Sequence, residues 1–73
     1  MVTEMRIEEI AHIGAVAGII WHHLEASGPV SMNRLIKEID APRDVVMQGV
    51  GWLAREGKVQ FIETPRSKLI ALS

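Results

Sequence analysis

The sequence has no cysteine, almost no net charge and no long hydrophobic run. Without cysteine, neither a disulfide framework nor a thiolate zinc site can supplement the core. A net charge of −1 excludes the general attraction to nucleic acid that strongly basic proteins show. The longest apolar run, residues 13–21, is too short to span a bilayer, so no membrane segment is predicted.

Apolar residues, in contrast, make up 48% of the 73 residues, which is generous for so short a chain. A chain of this length forms one domain, residues 1–73, and buries only about 60% of its surface on folding. This apolar content exceeds what three short helices need and therefore favours a partner subunit. The start of the sequence does not resemble a signal peptide, and we expect a cytoplasmic protein.

The first predicted helix begins near residue 3 or residue 8 and ends at about residue 26. Thr3 or Glu4 is the candidate cap at its start. Gly28 and Pro29 end the helix, because glycine accepts the left-handed closing conformation and proline cannot continue it. Helical spacing places six residues on the face predicted to be buried: Ile10, Ile13, Ala17, Ile20, Trp21 and Leu24.

Residues 30–59 predict a short helix, a turn, a second helix and a strand entered through a glycine. Val30 is predicted to form a very short strand that pairs with a later hairpin, and Ser31 to cap the next helix. That helix directs Leu35, Ile36 and Ile39 inward. Residues 40–42 form the turn, with Pro42 suited to a first helical turn.

The third predicted helix covers residues 43–56 and ends at Gly57. Two strands follow, at residues 58–62 and 68–72, and residues 63–67 form the tip of the hairpin between them. This order predicts an α+β, mostly helical fold: a winged helix-turn-helix of three helices with a C-terminal β-hairpin wing. In that fold the second helix of the helix-turn-helix typically enters the DNA major groove.

The third helix has few of the side chains that read bases. Its predicted buried face holds Val46, Val50 and Leu53, flanked by Val45 and Gly49, and its outward face holds Asp44, Met47, Gln48, Gly51 and Arg55. Only Gln48 and Arg55 suit base contacts, with Arg43 near the start of the helix. Gly49 and Gly51 each cost about 1 kcal/mol relative to alanine, which predicts close packing of a backbone or ring, with Trp52 as the candidate.

Positive charge is concentrated in the half of the chain that holds this helix and the wing. Residues 1–42 carry a net charge of −3, whereas residues 43–73 carry +2. We predict that residues of the third helix, the wing and the front of the helix-turn-helix contact phosphates: Arg43, Lys58, Arg66, Lys68, Ser31 and Arg34. The alternative, that these charges are ordinary solvated side chains, has equal weight.

The other face of the first helix carries almost no charge before Glu25. Its small residues allow a second helix to approach closely, and we predict a homodimer interface there: Ala11, Ala15, Gly18 and His22. The alternative is that the N-terminal residues or the wing fold over this face.

The segments GIIWHHLEASGPVSMNRLIKEIDAP and GWLAREGKV resemble a small bacterial and archaeal family of stand-alone winged helix-turn-helix proteins of unknown function. The resemblance extends over nearly the whole chain, and the stretch GWLAREGK, residues 51–58, is its most specific part. It implies the winged-helix fold and a loose association with transcriptional regulators. It implies no ligand, operator or catalytic residue. Arg55 and Glu56 belong to the motif, and an ion pair between them is an alternative role.

Other tempting sites have simpler interpretations. His22 and His23 are adjacent and face different directions, so a metal site within one chain is not predicted; a site shared across a dimer, with His22 meeting its symmetry mate, stays open. Trp21 and Trp52 are interpreted as core residues, and no catalytic arrangement, cofactor or small-molecule ligand is predicted.

Two functions from different classes therefore remain. The first is a homodimeric module that binds double-stranded DNA and regulates transcription. The second is a protein–protein interaction module on the same scaffold, without sequence-specific DNA binding. The placement of positive charge and the fold favour the first slightly.

Overall fold

The computed structural model describes residues 7–73 and contains three helices and three strands. In chain order these are α1 (Ile7–Ser27), β1 (Val30–Ser31), α2 (Met32–Glu38), α3 (Arg43–Arg55), β2 (Val59–Glu63) and β3 (Lys68–Leu72). The predicted fold class, three helices with a hairpin wing, is confirmed. The predicted cap at Thr3 or Glu4 lies outside the described residues.

The three strands form one antiparallel sheet in the order β1-β3-β2, so β3 is the central strand. Val30 pairs with Ile70, which confirms the predicted short strand. β2 and β3 form the wing, with Val59 opposite Leu72 and Glu63 opposite Lys68. The sheet therefore joins the start of the helix-turn-helix to the wing.

Local signals in the sequence set the ends of the helices. The Ser31 side chain accepts a hydrogen bond from the backbone N–H of Arg34 at 3.2 Å, which confirms it as the cap of α2. Gly57 has a φ of +71° and closes α3. The backbone N–H of Lys58 donates to the carbonyl of Leu53 at 3.0 Å, and β2 begins at Val59, one residue later than predicted. Pro42 precedes α3 as its cap residue and does not lie in its first turn.

The core lies between α1, α3 and the sheet, and α2 closes one end. Its most completely buried side chains come from all three helices and from the central strand β3: Ile20, Leu24, Leu35, Val46 and Ile70. Val16 is also buried, which the sequence did not predict, and the prediction for Ile10 was wrong because its side chain is 39% exposed. Ile13 and Trp21 are half-buried at the edges of the buried face.

The two glycines of α3 have different surroundings. A Cβ added at Gly49 would lie 2.9 Å from Cδ1 of Ile20 and 3.4 Å from the backbone nitrogen of Ala17, so α1 and α3 are in close contact there. The prediction of close packing is confirmed for Gly49. It was wrong for Gly51, where an added Cβ meets nothing within 4 Å, and the Trp52 ring lies against Gly14 of α1 instead.

Candidate nucleic-acid interface

The outward face of α3 is exposed along its whole length. All five residues that the helical projection placed on this face are exposed: Asp44, Met47, Gln48, Gly51 and Arg55. A 13-residue helix is about 20 Å long, and no residue from another described element covers this face enough to bury any of the five. The middle of the face has little side-chain bulk, because Gly51 borders open space.

The six basic residues predicted to face DNA fall into two groups by their ion pairs. Three of them have a carboxylate partner: Arg34 with Glu38 at 3.0 Å, Lys58 with Glu56 at 3.7 Å, and Lys68 with Glu63 at 3.6 Å. Within residues 7–73, the other three have no carboxylate within 4 Å: Arg43, Arg55 and Arg66. Arg55 and Glu56 are not ion-paired with each other in the structure; Glu56 contacts Lys58.

These unpaired arginines occupy separate parts of the interface. Arg43 and Arg55 are the first and last residues of α3, and Arg66 lies in the turn at the tip of the wing. The Thr64 hydroxyl accepts from the backbone N–H of Ser67 at 3.0 Å and of Arg66 at 3.3 Å. Because these bonds organise the tip, Arg66 is presented from an ordered turn.

The polar groups at the front of the helix-turn-helix are already engaged. The Ser31 hydroxyl caps α2, and the Glu38 carboxylate accepts from Arg34 Nε at 3.0 Å. His23 Nε2 of α1 lies 2.9 Å from the other oxygen of Glu38. The hydrogen bond from Arg34, and then that from His23, holds the pKa of Glu38 below its usual value. Because the Glu38 carboxylate offsets its charge, Arg34 attracts a phosphate less strongly than an arginine without a carboxylate partner.

A groove of about 710 Å³ lies between α1 and the C-terminal end of α3. Trp21 and Trp52 are among its walls, and Gly14 and Gly18 contribute its small surfaces. Trp52 is 37% exposed, so its interpretation as a core residue was wrong, whereas Trp21 is half-buried and packs against the core. The sequence feature that could have predicted this groove is the spacing of Gly14 and Gly18. It puts two residues without side chains one turn apart, beside a tryptophan.

The predicted dimer face of α1 is open. Ala11, Ala15 and His22 are exposed and Gly18 is half-buried, so the alternative that the wing folds over this face was wrong. The alternative cover, the N-terminal residues, lies outside the described part of the chain. His22 Nδ1 lies 3.8 Å from Glu25 on the same helix, whereas His23 faces α2.

Neither a metal cluster nor a membrane span is found within residues 7–73. That part of the chain holds no group of three histidine, cysteine, aspartate or glutamate side chains able to bind a metal ion together. None of its helices has the length and apolar character needed to cross a membrane.

Residues 5–72 of the sequence match the family described as "Winged helix-turn-helix domain (DUF2582)". The chain is 31% identical to protein BT2368 from Bacteroides thetaiotaomicron, known from a solution NMR structure. That similarity covers 85% of this chain and 76% of the other, with a TM-score of 0.76. A comparison with curated proteins finds no match.

Two further solved structures share the fold at lower identity. BpsR of Bordetella bronchiseptica, whose DNA binding is regulated by 6-hydroxynicotinic acid, is 15% identical with a TM-score of 0.72. A probable transcriptional regulator from Pseudomonas aeruginosa is 21% identical with a TM-score of 0.68. The similarity covers 90% of this chain in both cases, but only 56% and 58% of the two other proteins.

Proposed function

This chain belongs to the winged helix-turn-helix domain family DUF2582, and we propose that it binds double-stranded DNA as a homodimer and regulates transcription. In this proposal α3 enters the major groove and the wing contacts the adjacent backbone. Gln48 and Arg55 face the bases, while cations of α3, the wing and α2 contact phosphates: Arg43, Lys58, Arg66, Lys68 and Arg34. Ser31 lies beside the backbone at the front of α2. The role is one of binding and needs no catalytic residue.

The observation that carries the proposal is the position of the unpaired arginines. Arg43, Arg55 and Arg66 have no carboxylate partner among the described residues, and all three lie on α3 or the wing. An arginine without an internal partner can bind a phosphate or a base edge without first giving up an ion pair, so its full charge is available. The net charge of +2 over residues 43–73 acts in the same direction.

The shape of α3 also supports close approach to DNA. Gly51 lies at the middle of the outward face and leaves open space above the helix. A helix whose central exposed residue has no side chain can lie deeper in the major groove, and Gln48 and Arg55 on either side then reach base edges. Packing within the chain does not explain why residue 51 is glycine, whereas close approach to DNA does.

The experiment that tests the proposal is a fluorescence anisotropy titration of a labelled mixed-sequence duplex, repeated over a series of salt concentrations. Replacing Arg55 with alanine removes a cation from the interface, so it should weaken binding and reduce the dependence of log K on log salt. Lys37→Ala is the matched control, because Lys37 is an exposed cation on α2 that is not among the proposed DNA contacts. Equal effects of the two substitutions would remove Arg55 from the interface.

The second candidate function, a protein–protein interaction module, is favoured by the chemistry of the α3 surface. The Met47 side chain is 45% exposed, and Asp44 on the same face repels phosphate. An amide-resolved NMR titration at low salt separates the two functions. Shifts at residues 43–56 and 63–68 that fade with added salt support DNA binding, whereas a spectrum unmoved by excess duplex supports the interaction module.

A further inference from the structure

We propose that His23 makes the contact between Arg34 and DNA dependent on pH, because protonation of its ring offsets the Glu38 carboxylate that otherwise neutralises Arg34. The inference rests on the proposed function, in which Arg34 of α2 contacts a phosphate, and it adds a form of regulation to that contact. DNA binding should therefore strengthen as the pH falls from about 8 to about 5.5.

The Glu38 carboxylate connects two helices through its two oxygens. Its Oε2 accepts a hydrogen bond from Arg34 Nε at 3.0 Å, and its Oε1 lies 2.9 Å from His23 Nε2 of α1. Each nitrogen has its own acceptor, so both contacts exist together. Among the hydrogen bonds between side chains in residues 7–73, the one from His23 alone joins two helices. A histidine thus shares its acceptor with a cation that is proposed to bind DNA.

The hydrogen bond to Glu38 fixes where the neutral His23 ring holds its hydrogen. An ionised carboxylate oxygen can only accept, so the neutral ring carries its hydrogen on Nε2. A further proton is then taken up at Nδ1, and the hydrogen bond to Glu38 stays in place. Protonation of His23 therefore changes the charge of the cluster and needs no rearrangement of it.

Few other charged groups surround His23. It lines a pocket of about 480 Å³ whose walls come from α1, β1, α2 and β3. Among the described residues that form these walls, the charged groups other than His23 itself are Arg34 and Glu38, both of α2, whereas β1 and β3 contribute uncharged residues. The neighbouring His22 has a different surrounding, because its Nδ1 lies 3.8 Å from the Glu25 carboxylate.

The summed charge of the three groups decides how strongly they attract a phosphate. Arg34 and Glu38 together carry no net charge while His23 is neutral, and the cluster carries +1 once His23 is protonated. Histidine is the side chain that ordinarily gains its charge between pH 8 and pH 5. The hydrogen bond from Arg34, and then that from His23, holds the pKa of Glu38 below its usual value, so the carboxylate stays ionised in this range.

The guanidinium of Arg34 is accessible to a phosphate, since its side chain is 70% exposed. One added charge beside such a solvent-exposed contact should change the affinity by about threefold for each chain bound. Because DNA binding and protonation are linked, bound DNA should in turn favour the protonated form of His23.

The test is an anisotropy titration of the whole chain with a mixed-sequence duplex, at low salt and at pH values of about 8 and about 5.5. His23→Gln keeps an N–H donor toward Glu38 but cannot gain a charge, so it should lose about threefold, for each chain bound, of the affinity gained at the lower pH. His22→Gln is the matched control, because His22 is also beside a glutamate on α1, and it should keep the whole gain.

Arg34→Ala tests whether the effect passes through Arg34. With the phosphate contact removed, adding His23→Gln should no longer change the response of binding to pH. Circular dichroism at both pH values checks that each variant is folded. Calorimetry of the parent chain in two buffers of different ionisation enthalpy gives a second measurement, and DNA binding near pH 6.5 should take up protons.

The outcomes separate this inference from the proposed function. DNA binding that His23→Gln leaves as pH-dependent as in the parent would overturn the role of His23, as would binding by the parent without proton uptake. An equal effect of His23→Gln with and without Arg34 would overturn the route through Arg34. A duplex that is not bound at either pH would overturn the inference together with DNA binding itself.

Discussion

Gly49 of α3 lies against Ile20 of α1 so closely that an added Cβ would be 2.9 Å from the isoleucine Cδ1. Ile20 is fully buried, so its side chain has little room to move away. The backbone nitrogen of Ala17, 3.4 Å from the same point, limits any shift of the helix. This contact sets the separation of α1 and α3, and therefore the position of the outward face of α3 relative to the rest of the domain.

Alanine substitutions at the two α3 glycines should have different effects on stability. Gly51→Ala should raise the free energy of unfolding by about 1 kcal/mol, because it improves helix propensity and meets no neighbouring atom. Gly49→Ala gains the same propensity but must displace Ile20, so we expect it to be about 1–3 kcal/mol less stable than Gly51→Ala. Urea unfolding of the two variants measures the difference, and equal stabilities would contradict the close contact.

The hydrogen bonds to Glu38 predict a dependence of stability on pH. The pKa of Glu38 is lowered in the folded protein, chiefly by the hydrogen bond from Arg34 and then by that from His23. Its ionised form therefore stabilises the fold at pH values above the ordinary glutamate pKa, and this contribution is lost as the pH falls through the lowered pKa. Glu38→Gln should be less stable than the parent at pH 7, and the difference should shrink below pH 4.5.

Denaturant unfolding of the parent and Glu38→Gln at a series of pH values tests this expectation. Glu25→Gln is a suitable control, because Glu25 is also an exposed glutamate beside a histidine, at 3.8 Å, but it does not connect two helices. A constant difference between the parent and Glu38→Gln over the whole pH range would rule out the Glu38 charge as its source.

The ion pairs on the wing predict unequal contributions to DNA binding. Arg66→Ala should weaken binding more than Lys68→Ala, because the Lys68 ammonium is already 3.6 Å from the Glu63 carboxylate. Glu63→Gln should strengthen binding, since it frees Lys68 and removes a negative charge near the proposed backbone contact. Anisotropy titrations compare these variants with Glu9→Gln on α1. If Glu9→Gln strengthened binding as much as Glu63→Gln, net charge alone would explain the gain.

Much of the fold was predictable because its boundaries depend on local chemistry. Ser31 caps α2 and Gly57 closes α3 through bonds to residues within one turn, so the sequence around each position contains the information. The outward face of α3 was predictable for a similar reason, since helical periodicity fixes the direction in which each side chain points from the helix axis. The exposure of Ile10 was not, because periodicity does not say where along α1 the packing neighbours begin.

The parts of the site that depend on contacts between elements could not be predicted. Helical periodicity places Gly49 beside the buried face and Gly51 on the outward face, but it does not say that Ile20 of α1 is the side chain that lies against Gly49. The pairing of Glu56 with Lys58 depends on the closing turn after α3, which brings these two side chains to the same side. Which arginines remain unpaired therefore became known only from the structure.

The central position of β3 has a consequence for how the chain folds during synthesis. β1 and β2 both pair with β3 and not with each other, and Ile70 of β3 is fully buried in the core. Until residues 68–72 have left the ribosome, neither earlier strand has its partner, and the apolar surface that Ile70 covers stays open. Folding of this domain must therefore wait for β3, and a nascent chain stalled before Lys68 would be a natural substrate for chaperones.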